Sequence, residues 1–240
     1  MDAPPSPEPP ATLYEPQPVR LPEHPVRATW ALIAVNVAVF ALESWWGGSQ
    51  WSPVLYAMGA NTGRSALAAA PWRLLSSAFL HIGPLHLAVN MWALWVLGRN
   101  LEGALGPIRF SILYVVSGLG GSVACYVFTP AAASAGASGA LFGLFAALFI
   151  LLRRLGRDTS SIVPVLVINL IFSFVPGISL AAHLGGLVTG AVLAVALAYP
   201  PRKIRDKVAA GTVVLLLVFM TLVVVAQTAA LSAMPVPPGF

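Results

Sequence analysis

Apolar residues along this chain fall in long blocks separated by short polar breaks, and the blocks predict seven helical spans. They cover residues 29–46, 78–97, 108–128, 138–152, 162–175, 180–199 and 208–231. Most approach the roughly 20 residues that a helix needs to cross a hydrocarbon layer. The fourth and fifth are short for a full crossing. That implies a thinned bilayer, or helix ends in a protein-lined, water-accessible space. The predicted class is an all-α polytopic membrane protein.

Composition agrees with that pattern. Hydrophobic residues make up 58% of the 240 and charged residues 9%, against about 25% charged in soluble domains. So little charge cannot cover the surface of a soluble globule. The net charge of +5 points to no nucleic acid, because the basic residues form short clusters between blocks rather than a patch with interleaved aromatics. Cys125 is the one cysteine, so no intramolecular disulfide is available.

The first 28 residues are proline-rich and polar, which predicts a disordered tail and no cleavable apolar signal; a polyproline ligand for a partner is the alternative reading. Basic residues then set orientation. A cytoplasmic N-terminus puts Arg20, Arg27, Arg99, Arg109, Arg153, Arg154, Arg157, Arg202, Lys203, Arg205 and Lys207 inside, leaving only Arg64 and Arg73 outside. Seven spans then place the C-terminus outside. The long loop over 47–77 carries apolar runs at 54–58 and 66–70 with Trp51 and Trp72. It is expected to lie in the membrane interface rather than form a mobile outer loop.

Polar groups inside a membrane are costly, and each asks for a reason. The candidates are His81, His86, Asn90, Ser138, Asn169 and His183. In this topology His86, Ser138 and His183 share one depth, toward the outer helix ends. Glycines on both sides of Ser138 (Gly136, Gly139) leave its hydroxyl approachable, as a nucleophile requires; they equally suit close helix packing. His183, Gly186 and Gly190 fall on one face of the sixth span, and Gly139 and Gly143 offer a matching pair on the fourth. Packing these pairs together brings Ser138 and His183 within reach. His86 and Asn90, four apart, share a helical face as two hydrogen-bond donors, fit for an oxyanion or for an interhelical bond. No Asp or Glu lies within spans four to six. A histidine base would then be oriented by packing, with the Phe142 ring, one turn beyond Ser138, stacked on it.

These residues resemble the rhomboid intramembrane serine proteases over roughly residues 30–200. Five motifs carry the likeness: Gly136-Ala137-Ser138-Gly139; Ala182-His183 with Gly186 and Gly190; His86 with Asn90; Trp72-Arg73; and Gly98, Glu102 and Gly106. The resemblance implies a six-helix core (29–200) followed by a basic loop with an added seventh helix (201–231) and a short outer tail (232–240). It implies a Ser138–His183 dyad, with His86, Asn90 and the Ser138 backbone N–H as oxyanion donors, and no cofactor or metal. Trp72, Arg73 and Glu102 are taken as supports of the first-loop structure. Substrates would be single-span membrane proteins, cut near the outer ends of their helices in the lipid bilayer of a bacterial plasma membrane. Some family members carry tyrosine where Phe142 stands here. The rival readings are a catalytically inactive relative that binds or escorts membrane helices, a transporter and a metalloprotease. The last lacks a His-Glu-x-x-His motif and acids at the depth of the histidines.

Overall fold

The computed structural model describes residues 25–47, 52–58, 60–62, 70–130, 132–175 and 177–233. The N-terminal tail up to residue 24, Trp51, residues 66–69 of the second loop run and the end of the outer tail (234–240) lie outside the described residues. Nine α-helices are described: α1 (Arg27–Trp45), α2 (Ser52–Met58), α3 (Arg73–Ser76), α4 (Pro84–Leu105), α5 (Pro107–Phe128), α6 (Ser138–Arg154), α7 (Ile162–Phe172), α8 (Leu180–Ala198) and α9 (Arg205–Ser232). Four of them (α1, α5, α8 and α9) are long and apolar enough to cross a membrane. With α4, the shorter α6 and the 11-residue α7, they form the seven-helix, all-α body of a multi-pass membrane protein.

The second span departs from its expected start at residue 78. Residues 73–79 form α3 and a 3₁₀ turn, and the chain then bends by 92° into α4. Pro84 has no N–H to continue a helix backward, and Gly83 takes φ +85°, a conformation closed to most residues. The same pairing of Gly106 (φ +81°) and Pro107 ends α4 and starts α5. Glu43 at the end of α1 is wholly buried and accepts the His81 N–H at 3.2 Å, which braces the bend.

Two further features went unread in the sequence. Asn61–Thr62 (β1) and Ala133–Ser134 (β2) pair antiparallel, Asn61 opposite Ser134 and Thr62 opposite Ala133. The first loop is thereby stitched to the segment leading into Gly136. Leu55 and Ala60 are buried against Leu80, with Val39 and Ala135 alongside, so this part of the loop belongs to the packed body. Arg73 is buried and donates to the Ala60 carbonyl at 3.2 Å, its guanidinium lying 5.1 Å from the Trp72 ring. The Arg73 side chain thereby reaches the first loop.

Glu102 does not. It lies at the far end of α4, wholly buried, where its carboxylate accepts the N–H groups of Ala28 and Thr29 (2.8 and 2.7 Å) and the Thr29 hydroxyl (2.7 Å). The start of α1 lacks intrahelical acceptors for these N–H groups, and a carboxylate from another helix supplies one. The grouping of Glu102 with the first loop is corrected accordingly. The bidentate Arg109–Asp206 pair ties α5 to α9 at the same end.

At the centre, α5, α6 and α8 pack against one another more closely than any other helices. Glycine makes this possible. A Cβ on Gly186 would stand 2.6 Å from the Gly139 carbonyl carbon, and one on Gly190 2.7 Å from that of Gly143. A Cβ on Gly121 would meet the Ala182 carbonyl oxygen at 2.7 Å, so α5 enters the same close contact. Gly186→Val and Gly190→Val are each expected to cost about 1–3 kcal/mol, because the obstacle is backbone that cannot rotate away. Thermal melting of the detergent-solubilised protein reads this directly; wild-type melting for both would disprove the contact.

Candidate active site

The site forms where the chain enters α6. Gly136 takes φ +137°, and its N–H donates to the Ser77 carbonyl at 2.8 Å. A Cβ here would lie 2.7 Å from His86 Cε1 and 3.0 Å from Nε2. Glycine is thus required twice, for the turn and for the imidazole that rests on it. Ser138 follows as the first residue of α6. Its N–H belongs to the first turn, whose amides have no intrahelical acceptor and carry the positive end of the helix dipole.

His183 enters from α8. Its Nε2 lies 2.9 Å from Ser138 Oγ. The Phe142 ring stacks on the imidazole, with centroids 4.1 Å apart and planes inclined by 14°. His183 and Phe142 are 5% and 4% exposed. The imidazole is therefore held in place on its face by an aromatic ring and beneath by the Gly139–Gly186 contact.

His183 has a second partner, beyond the packing that the sequence predicts. Ser173, just beyond the end of α7, places Oγ 2.5 Å from His183 Nδ1. No motif marks it. The interaction depends on how α7 returns toward α8, and a serine at a helix end carries no periodic signal.

His86 and Asn90 both belong to α4, and the His86 ring lies against Gly136. The Ile82 N–H donates to His86 Nδ1 at 3.3 Å, so the neutral ring carries its proton on Nε2, the atom beside Gly136. Asn90 is 4% exposed, and one of its amide hydrogens is engaged by the His86 carbonyl at 3.0 Å. The other is available. His81, wholly buried, packs its ring against His86 with centroids 5.2 Å apart. Asn169 lies apart, donating to the Val165 carbonyl of its own helix at 2.8 Å.

Chemically, this brings together a serine hydroxyl and an imidazole nitrogen able to take its proton, with the His86 ring against the nearby Gly136. Comparisons with known proteins show the family. The Rhomboid domain family matches residues 68–200, more than half of the chain. The chain is 39% identical over 181 residues to "Rhomboid protease GluP" of Bacillus subtilis (strain 168), covering 72% of this chain and 35% of that protein. It is 34% identical over 139 residues to "RHOMBOID-like protein 6, mitochondrial" of Arabidopsis thaliana, covering 55% and 45%. "Inactive rhomboid protein 1" of Danio rerio is 33% identical over 132 residues, covering 52% and 15%. The chain thus spans less than half the length of each of these relatives. With the domain match and the seven-helix body in agreement, the chain belongs to the rhomboid family.

Proposed function

We propose that this protein is an intramembrane serine endopeptidase that cleaves the transmembrane helices of membrane-protein substrates. The observation that carries the reading is the 2.9 Å approach of His183 Nε2 to Ser138 Oγ, beneath a stacked Phe142 ring. Ser138 Oγ attacks the carbonyl carbon of the scissile bond as its proton passes to Nε2. The resulting oxyanion accepts from the Ser138 N–H, His86 Nε2–H and Asn90 Nδ2–H. His183 then returns the proton to the leaving amine, and the acyl-enzyme is hydrolysed by a water that His183 deprotonates.

A helical substrate hides its amides in i→i−4 bonds and must unwind locally, which favours small or helix-breaking residues at the cut. The core assigned to this reaction is 29–200, with 1–28 as an inner tail, 201–231 as basic loop and added helix, and 232–240 as an outer tail. The N-terminus lies in the cytoplasm and the site opens toward the outer face. The basic ends of α1, α4, α5 and α9 support that orientation, gathered as they are by the Glu102 and Arg109 contacts opposite Ser138.

The test is cleavage of a panel of single-span transmembrane peptides by the purified full chain, with Ser138→Ala as control. Products located near the outer end of a peptide, and absent with Ser138→Ala, are expected. Intact peptides across a panel that a known rhomboid protease cuts would instead place this chain among the inactive members.

A further inference from the structure

Between Ala147 and Ala182, Ser173 is the only described residue that is buried, at 3% exposure. α7 itself buries nothing. The Ser173 hydroxyl turns inward, lying 2.5 Å from His183 Nδ1 and 3.0 Å from the Asn169 carbonyl oxygen. The Ser173 N–H turns instead to the Leu170 carbonyl at 3.1 Å. That tightens the last turn and leaves the Asn169 carbonyl to the hydroxyl.

Proton counting gives the chain of bonds a direction. A carbonyl oxygen only accepts, and a serine hydroxyl has one proton. Ser173 Oγ–H therefore donates to Asn169, and its lone pairs face Nδ1. For this contact to be a bond, Nδ1 must carry the imidazole proton. The neutral ring then has its lone pair on Nε2, aimed at the Ser138 hydroxyl. The opposite tautomer would set two lone pairs against each other at 2.5 Å, or oblige Ser173 to abandon Asn169.

We infer that Ser173 is a positioning residue that selects the Nδ1–H tautomer of His183, the form able to act as base toward Ser138. The relay runs Ser138 Oγ–H to His183 Nε2, His183 Nδ1–H to Ser173 Oγ, and Ser173 Oγ–H to the Asn169 carbonyl. When His183 takes the serine proton, Nδ1–H remains a donor to Ser173, and the imidazolium keeps its partner. The Asn169 carbonyl lies in the last turn of α7, where the helix dipole is negative, and it polarises the hydroxyl toward its cationic neighbour. An aspartate performs this task with a full charge in Ser-His-Asp proteases. Here a neutral oxygen anchored to a helix end performs it.

The inference rests on the dyad proposed above, and its test separates the two. The full chain in detergent, labelled with ¹⁵N-histidine, reports the His183 tautomer independently of any substrate, its signals assigned by difference with His183→Gln. Steady-state cleavage of a transmembrane peptide and thermal melting complete the set, for wild type, Ser173→Ala and Ser173→Thr. Wild-type His183 is expected as the Nδ1–H tautomer. Ser173→Ala should mix the tautomers and lower kcat about tenfold, the worth of one neutral hydrogen bond, with KM and melting little changed. Ser173→Thr keeps the hydroxyl and should retain the tautomer and most of kcat. A wild-type proton on Nε2 overturns the inference, as does a Ser173→Ala spectrum unchanged at His183, whatever happens to stability. If wild type cleaves no peptide, the dyad reading falls, while the spectra still decide the role of Ser173.

Discussion

Ser138→Ala and His183→Ala are each expected to lower peptide cleavage by about 10⁴-fold or more, with the double variant no slower than the worse single one. Non-additivity is expected because the two side chains perform one event. Without Nε2 to take its proton the hydroxyl is a poor nucleophile, and without the hydroxyl the imidazole has nothing to activate. Neither substitution should unfold the protein. Ser138 contributes its Oγ at the first position of α6, where it is partly exposed. His183→Ala removes a ring stacked on Phe142, so a modest loss of melting temperature is expected there and none with Ser138→Ala. A fluorophosphonate should label wild type and fail to label Ser138→Ala. Turnover of folded Ser138→Ala protein above about a hundredth of wild type would remove Ser138 from the reaction.

His86→Ala and Asn90→Ala are each expected to slow turnover by about 10²–10³-fold while changing KM little. The reason is that donors to an oxyanion strengthen their bonds as charge develops in the transition state. The structure sharpens this prediction for each residue. His86 has Nδ1 occupied by the Ile82 N–H, which leaves Nε2–H as the donor. Asn90 spends one amide hydrogen on the His86 carbonyl, so its loss removes a donor and also loosens the first turn of α4. The structural share of that loss is about 1 kcal/mol and shows as a lower melting temperature. Only the catalytic share shows as slower fluorophosphonate labelling per folded molecule, since the phosphoryl oxygen occupies the oxyanion position. Asn90→Ala protein that melts early but labels and turns over normally would assign Asn90 to helix packing alone.

The spans and the close contact between α6 and α8 were legible because they are written in local patterns. Apolar blocks of membrane length admit one solution, a helix with all its backbone bonds internal. Gly139 and Gly143 on one helix, with Gly186 and Gly190 on another, mark two narrow faces that can meet. Their contact sets Ser138 Oγ and His183 Nε2 at 2.9 Å. The stack of Phe142 on His183 follows from its place one turn after Ser138.

Other features have no such local pattern, because their partners lie far along the chain. Two-residue strands separated by some seventy positions are too short for any alternation to be read. Glu102 is one glutamate among several until the start of α1 arrives beside it with unpaired N–H groups. Glu43 and the His81 amide meet only because Gly83 and Pro84 turn the chain by 92°. Ser173 is the clearest instance: an unremarkable serine at the end of an exposed helix, made the partner of His183 by the path from α7 to α8. By itself the sequence determined a helical membrane protein with a serine and a histidine at one depth, since hydrophobic length and helical spacing act locally. Tertiary structure alone decided how the first loop is sewn in, which end Glu102 caps and what holds the far nitrogen of His183. Each of those depends on a polar group finding, across the fold, the partner that burial obliges it to have.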